Sequence, residues 1–260
     1  YDWKRFIETV RKLSPKTVVF SDVGPDIRWV GNEKGIAGTT NWNTLTIEGF
    51  TPGLGAPSTD TLNIGNKHGT HWIPAECDVS IRPGWFYHAE EDNKVKSPEE
   101  LFQLYLKSVG RGATLLLNIP PDRRGKFHAT DSAALVGFKQ LRTESYKNDL
   151  FENAKHSSTK QHRFLKEIFI QLPTTEKINS IVLKEDLKKG QNVAKFKIII
   201  YSSSGKPIKE IKGTTVGHKR IISFPAVEAA SVKIIIEETK SAALLQRTEA
   251  YLIDETLIEK

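Results

Sequence analysis

Apolar residues in the first 150 positions recur with two periods. Trp3, Phe6, Ile7, Val10 and Leu13 fall at helical spacing, which predicts an amphipathic helix over residues 2–13 that Ser14-Pro15 stops. Thr17-Val18-Val19-Phe20 follows as a short apolar strand, of the kind buried on both faces. It ends at Ser21-Asp22, where a Gly/Pro loop begins. Residues 35–70 are rich in Gly, Thr, Asn and Pro without periodicity, too long for an ordinary connection. Trp72-Ile73-Pro74-Ala75-Glu76 is expected as the next strand, although Pro74 interrupts it. Ser97-Pro98-Glu99-Glu100 is a capping box opening a helix to about Ser108, with Leu101, Leu104, Tyr105 and Val109 on one face and Gly110 and Gly112 ending it. Ala113–Ile119 is a further buried strand, followed by the loop Pro120–Gly125. A last helix starts near Thr130 and carries Ala134, Leu135, Phe138 and Leu141. Strand and helix alternate, as in a (β/α)₈ barrel with its long loops on the active-site face, yet such a barrel needs about 250 residues. Three strands are less than half of one, and an open half-sheet would leave bare edges. The expectation is that the N-terminal strands of the barrel are missing from this chain.

The period changes in the second half. After a polar linker come Phe164–Leu172, Ile178–Glu185, Ala194–Ser202, Pro207–Lys212, Lys219–Phe224, Ser231–Glu237 and Glu249–Ile253. These runs are short, β-branched and parted by turn signals such as Lys189-Gly190 and Ser204-Gly205, which predicts an all-β sandwich. The expected fold is therefore α/β plus all-β. The C-terminal half of a (β/α)₈-like barrel occupies residues 1–148, a linker 149–160, and a β-sandwich of jelly-roll or galactose-binding type 161–260.

Charge separates the halves. The net charge of +7 divides into 19 Lys/Arg against 18 Asp/Glu in residues 1–150 and 19 against 13 beyond, so the basicity belongs to the second half. Its cations are scattered along strands, which is the pattern of a solvated surface; an acidic polysaccharide or nucleic acid is the sharper alternative. No run approaches the roughly 18 apolar residues of a membrane span. A single cysteine, Cys77, forbids an intrachain disulfide. The chain opens on Tyr1 and contains no Met, which suggests a fragment or processed chain.

Candidate chemistry concentrates between Ser21 and His88, which hold four of the five tryptophans and three of the seven histidines. Flat rings interleaved with acids suit a sugar site, and in a barrel the chemistry lies at strand C-termini. Asp22, Asp26, Glu33, Glu76 and Asp78 are the carboxylate candidates. A pair about 5–5.5 Å apart would give retaining glycoside hydrolysis and a wider pair inversion. On spacing alone, Glu33 in Gly31-Asn32-Glu33-Lys34-Gly35 is a solvated loop acid or a catalytic one. Glu76 and Asp78 fit a structural pairing with Arg28 or Arg82 as well as catalysis. Trp72 and Trp85 are core residues or sugar platforms, with Gly84 before Trp85 and Tyr87-His88 after it favouring the platform there. His68, His71 and His88 with Asp78 match no strong metal-ligand spacing.

Three segments carry a resemblance. Gly24–Glu33, Pro74–His88 and Leu115–Gly125 resemble glycoside hydrolase family 29, the retaining α-L-fucosidases, and look most like its subfamily acting on α-1,3/1,4-linked fucose of Lewis-type glycans. Thr214–Arg220 resembles a segment of that family's C-terminal β-sandwich, so the resemblance spans essentially the whole chain. It implies a barrel followed by a sandwich, a fucosylated oligosaccharide or glycoconjugate as partner, and no cofactor. Glu33 would be the general acid/base, protonating the leaving oxygen and then activating water. Trp85 would pack on fucose, with Arg28, Glu76 and Trp72 lining the pocket. The family nucleophile, an Asp in a Trp-Phe-Asp-Gly motif, has no counterpart here, and none of Asp22, Asp26 and Asp78 takes its place. The resemblance thus implies a fucosidase whose residues 1–260 alone are inactive, in an extracytoplasmic compartment, periplasmic or secreted. A non-catalytic carbohydrate-binding protein is the alternative. A nucleic-acid binder is the third reading.

Overall fold

A computed structural model of the chain describes residues 1–160 and 166–258. Its first half is built on a four-stranded parallel sheet in the order β1 (Phe20–Ser21), β2 (Ile27–Trp29), β5 (Ala75–Ser80), β6 (Thr114–Asn118). Between β2 and β5 lie a two-stranded antiparallel ribbon, β3 (Thr44–Leu45) with β4 (His71–Trp72), and a short helix α2 (Thr59–Ile64). Three longer helices complete this half: α1 (Trp3–Leu13), α3 (Pro98–Lys107) and α4 (Ala129–Ser145).

Strand β5 shows how the sheet is layered. Successive side chains alternate faces. Ala75, Cys77 and Val79 therefore point one way and are buried, and Ile81 continues that side. Val79 and Ile81 pack on Leu101, Leu104 and Ala134 of α3 and α4. Glu76, Asp78 and Ser80 face the other way. Helix α3 starts at the expected capping box: the Ser97 hydroxyl accepts from Glu100 N–H while the Glu100 carboxylate accepts from Ser97 N–H at 2.7 Å. Because the strands are parallel, the loops after β2, β5 and β6 all emerge at one end of the sheet.

Several expectations are corrected here. Thr17–Phe20 is not buried on both faces: Val18 is 61 % exposed, and only Phe20–Ser21 pair, at the edge of the sheet. Helix α1 forms as the spacing predicts, but none of its residues is buried. The strand expected across Pro74 splits there, since proline offers no N–H; Trp72 ends the ribbon and Ala75 begins the sheet strand. Strand β2 was hidden in what the sequence suggests is a Gly/Pro loop, because three residues are too few to show a period. The loop at 35–70 contains β3 and α2, the latter capped by Ser58.

The second half is a six-stranded antiparallel sheet in the order β10 (Pro207–Gly213), β9 (Val193–Tyr201), β11 (Arg220–Thr239), β8 (Lys166–Glu185), β12 (Leu245–Tyr251), with β7 (Lys155–Lys160) also paired to β8. Runs expected as separate strands join into β8 and β11. The β8–β11 register shifts between Ala229 and Ser231, which oppose Glu176 and Gln171, and there each long strand passes from one set of neighbours to another. Residues 167–171 pair with 231–235 and with β7, whereas 178–183 pair with 220–227 and with β12. Ile170, Leu172, Ile181, Leu183, Phe196 and Ile234 share one core, so the sheet closes over itself. Strand β7 falls in the expected linker; its Lys-His-Ser-Ser-Thr-Lys sequence has no apolar alternation to betray it. His162 and the start of the run at Phe164 lie outside the described residues.

The halves are bonded together. Gln191 accepts from Asn43 N–H at 2.7 Å and donates to Asn41 O at 2.9 Å, and Phe102 of α3 packs with Val182, Tyr251 and Leu257.

Candidate functional site

The loop after β2 is shaped by glycine. Gly31 (φ +83°) and Gly35 (φ +71°) adopt the left-handed region, and a Cβ at Gly35 would stand 2.8 Å from Val79 Cγ1. Gly35 N–H donates to Asp78 O at 3.1 Å, and the Asn32 amide bonds to Lys34 N–H and Ile36 O. The turn thus presses on β5 and leaves Glu33 exposed above the C-terminal end of the sheet.

Trp85 comes to it from the next loop. Its Nε1–H donates to Glu33 Oε2 at 3.1 Å, and the side chain is 38 % exposed. The Trp85 loop is held from below: Asn118 Nδ2, at the end of β6, donates to Trp85 O at 3.0 Å and to Ser80 Oγ, and Ser80 Oγ donates to Gly84 O at 2.6 Å. Arg82, fully buried, spans the loop's base. It donates to both carboxylate oxygens of Asp131 in the first turn of α4, to Asp92 at 2.9 Å and to His88 O. Its guanidinium also lies 4.7 Å from the Tyr87 ring centre. A fork of fixed donors with this many partners gives the loop one geometry.

Below Glu33 the sheet face is acidic. Asp78 accepts from Trp29 Nε1–H at 2.8 Å. Burial raises the Asp78 carboxyl above the usual range, the Trp29 bond opposing and the neighbouring Glu33 charge adding to the rise. Glu76, one pleat deeper, is raised by burial and by Asp78. A half-buried acid row beside an indole edge can hold hydroxyls and move protons.

Of the sequence candidates, Glu33 and Trp85 meet, and Glu76 shares their sheet face. Arg28 does not: it points to the opposite face, buried, donating to Leu62 O (2.8 Å), Trp42 O (2.9 Å), Asn41 Oδ1 (3.2 Å) and Ile73 O. Burial pulls its guanidinium down to about 10. A substrate could not reach it. Trp72 precedes the N-terminal end of β5, and the six residues of β5 put it about 20 Å from the Glu33 end. Asp26 is a structural acid bound to Arg11 and Val19 N–H, and Asp22 accepts from Gly53 N–H. His68, His71 and His88 do not converge with Asp78; among the described residues no cluster of three metal-ligating side chains forms. Cys77 is buried in the sheet, its thiol pushed up to about 12. The pairing expected of Glu76 and Asp78 with Arg28 or Arg82 does not form: Arg82 holds Asp131 and Asp92, and Arg28 holds carbonyl and amide oxygens. Trp29, Asn118 and Asp131 are the neighbours that the sequence did not single out. The acid in the first turn of α4 was the one available signal for Asp131.

A family model for α-L-fucosidases matches residues 36–140. The chain is 30 % identical to alpha-L-fucosidase 1 of Arabidopsis thaliana, over 97 % of this chain and 54 % of the plant protein. It is 32 % identical to a putative alpha-L-fucosidase 1 of Oryza sativa subsp. japonica, over 94 % of this chain and 52 % of that protein. The chain thus spans about half the length of these curated relatives. The crystal structure of SpGH29 superposes with a TM-score of 0.90 at 34 % identity, over 98 % of this chain and 60 % of its own. Family model, sequence relatives and solved structure agree in likening this chain to α-L-fucosidases of glycoside hydrolase family 29.

Proposed function

We propose that these residues carry the proton-transfer side of a retaining exo-α-L-fucosidase acting on α-1,3/1,4-linked fucose. Glu33 donates a proton to the leaving glycosidic oxygen and later takes one from the attacking water. Trp85 offers its face to the fucose and its Nε1–H to the acid. Asp78 and Glu76 line the floor. The single observation behind this is the 3.1 Å bond between Trp85 and an exposed carboxylate at the C-terminal end of a parallel sheet. The likeness to plant α-L-fucosidases and the resemblance of Gly24–Glu33 support the same reading.

The nucleophile is supplied by a segment outside these 260 residues that completes the sheet into a barrel. The open edges argue for it: Val18 beside β1, Leu116 of β6 and Phe6 and Leu13 of α1 are 61, 46, 50 and 79 % exposed, an apolar border that a soluble enzyme covers. The second half is then a β-sandwich packed on the barrel. The test is Glu33→Ala in the protein as its gene encodes it. Turnover of a fucosylated trisaccharide falls at least about 100-fold, as for loss of a general acid, and azide partly restores turnover of an activated aryl fucoside. Full activity of Glu33→Ala on the trisaccharide sinks the assignment.

A further inference from the structure

We infer that Asn118 is a positioning residue for proton transfer, its amide setting the Trp85 indole edge against Glu33; this rests on the fucosidase reading above. Register explains where Asn118 points. Ser80 and Asn118 are partners at the last step of the β5–β6 ladder, and partners in a sheet carry their side chains on one face. That face is the one with Glu76 and Asp78. The backbone there is fixed, since Ile81 N–H donates to Asn118 O at 2.9 Å. The Asn118 side chain thus leaves a held strand end. Its Nδ2 carries two hydrogens and uses both, one to Ser80 Oγ at 3.1 Å and one to Trp85 O at 3.0 Å. A carbonyl can only accept, so the nitrogen of the amide, not its oxygen, faces Trp85.

The loop needs that tether. Arg82 fixes its base through Asp131 and Asp92, but the chain around the indole is thinly packed. A Cβ at Gly84 would meet nothing within 4 Å among the described residues, and glycine has the widest backbone freedom. Trp85 is 38 % exposed and Phe86 78 %. Ser80 Oγ donates to Gly84 O at 2.6 Å, the residue before the indole, and Asn118 reaches the indole's own residue. Asn118 also supports the first of these bonds. Ser80 Oγ accepts from its amide and keeps the O–H for Gly84.

The effect passes to the acid through the ring. Trp85 Nε1–H stands 3.1 Å from Glu33 Oε2. Glu33 is exposed on its turn, so several rotamers are open to it, and the indole donor selects one. A reacting group loses rate when its support lets it drift by a fraction of an ångström. Strand end, amide, loop carbonyl, indole and carboxylate therefore form one line of support, with Asn118 at its fixed end.

The experiment uses Asn118→Ala, Asn118→Asp and Trp85→Phe, alone and combined, in the protein as its gene encodes it, with melting curves to check folding. Asn118→Asp keeps the shape and turns the donor into an acceptor facing Trp85 O, so it serves where the alanine variant fails to fold. On a fucosylated trisaccharide either Asn118 substitution lowers kcat about 10-fold, the worth of one hydrogen bond, with KM within about twofold. In the Trp85→Phe background the same substitution costs less than about twofold, because the contact it acts through is already gone. A full loss of about 10-fold in both backgrounds is what a merely structural asparagine would give. That additive result overturns the positioning role, as does an unchanged kcat. The Trp85 indole N–H resonance, assigned by its loss in Trp85→Phe, is read in the same proteins. It shifts in both Asn118 variants, and an unmoved signal overturns the inference. A parent protein that turns over no fucoside while this signal still responds refutes the fucosidase reading and keeps the Asn118 tether.

Discussion

Replacing Arg28 with Met separates a structural guanidinium from a substrate-binding one. Arg28 is buried among four acceptors: the carbonyls of Leu62, Ile73 and Trp42 and the Asn41 amide oxygen. Among the described residues no carboxylate pairs with it, and burial already pulls it below its ordinary range. Methionine keeps much of the volume but offers no donor. A buried acceptor left without a partner costs about 1–3 kcal/mol, so four of them amount to roughly 4–12 kcal/mol gross. Release of a desolvated cation returns several kcal/mol, and the net resembles breaking a buried ion pair, about 3–5 kcal/mol. For a chain of this size each kcal/mol moves Tm by about 2–4 °C, so Arg28→Met should lower Tm by roughly 6–20 °C. The assay is a calorimetric melt of this chain beside kinetics on an aryl fucoside with the same substitution in the protein as its gene encodes it, at a temperature where parent and variant are folded. KM per folded molecule stays within about twofold, since no ligand contact is lost. An unchanged Tm with a tenfold rise in KM would refute the structural account and return Arg28 to the pocket.

Two further substitutions probe the site. Trp85→Phe keeps a ring for the sugar and deletes the donor to Glu33, so KM should change little while kcat falls about 10-fold, the worth of one hydrogen bond to a charged group; a loss confined to KM would show that the indole edge is idle. Asp78→Asn removes a carboxyl whose folded-state titration is raised by burial. The stability that such a group contributes is present below its unfolded value near 4 and lost as pH rises through the folded one. The Asn variant should therefore melt a few degrees above the parent at pH 7 and close to it at pH 4, and equal gaps at both pH values would contradict the burial argument.

Much of this was legible in the chain. The capping box at Ser97–Glu100 and the apolar run at Thr114–Asn118 fixed α3 and β6 because each is a local signal: a side chain bonding a nearby N–H, a period repeated over enough residues. Glu33 and Trp85 were legible as candidates through motif resemblance, but their 3.1 Å contact joins residues 52 apart in sequence and no periodicity encodes it. Strand β2 escaped because three residues carry no period, and β7 because its pairing with β8 is held by backbone groups that leave no apolar trace. Arg28 misled for a physical reason. The resemblance put it in the pocket, but a single position on a strand decides whether a side chain faces sugar or core, and no motif match reads the pleat.

The central claim is that Glu33 is the proton donor, and the dependence of kcat/KM on leaving-group acidity tests it most directly. Across aryl α-L-fucosides of graded phenol pKa, the parent enzyme should give a shallow slope and Glu33→Gln a steep one. The two should converge on the best leaving groups, which need no proton. Parallel slopes for parent and variant would contradict the account.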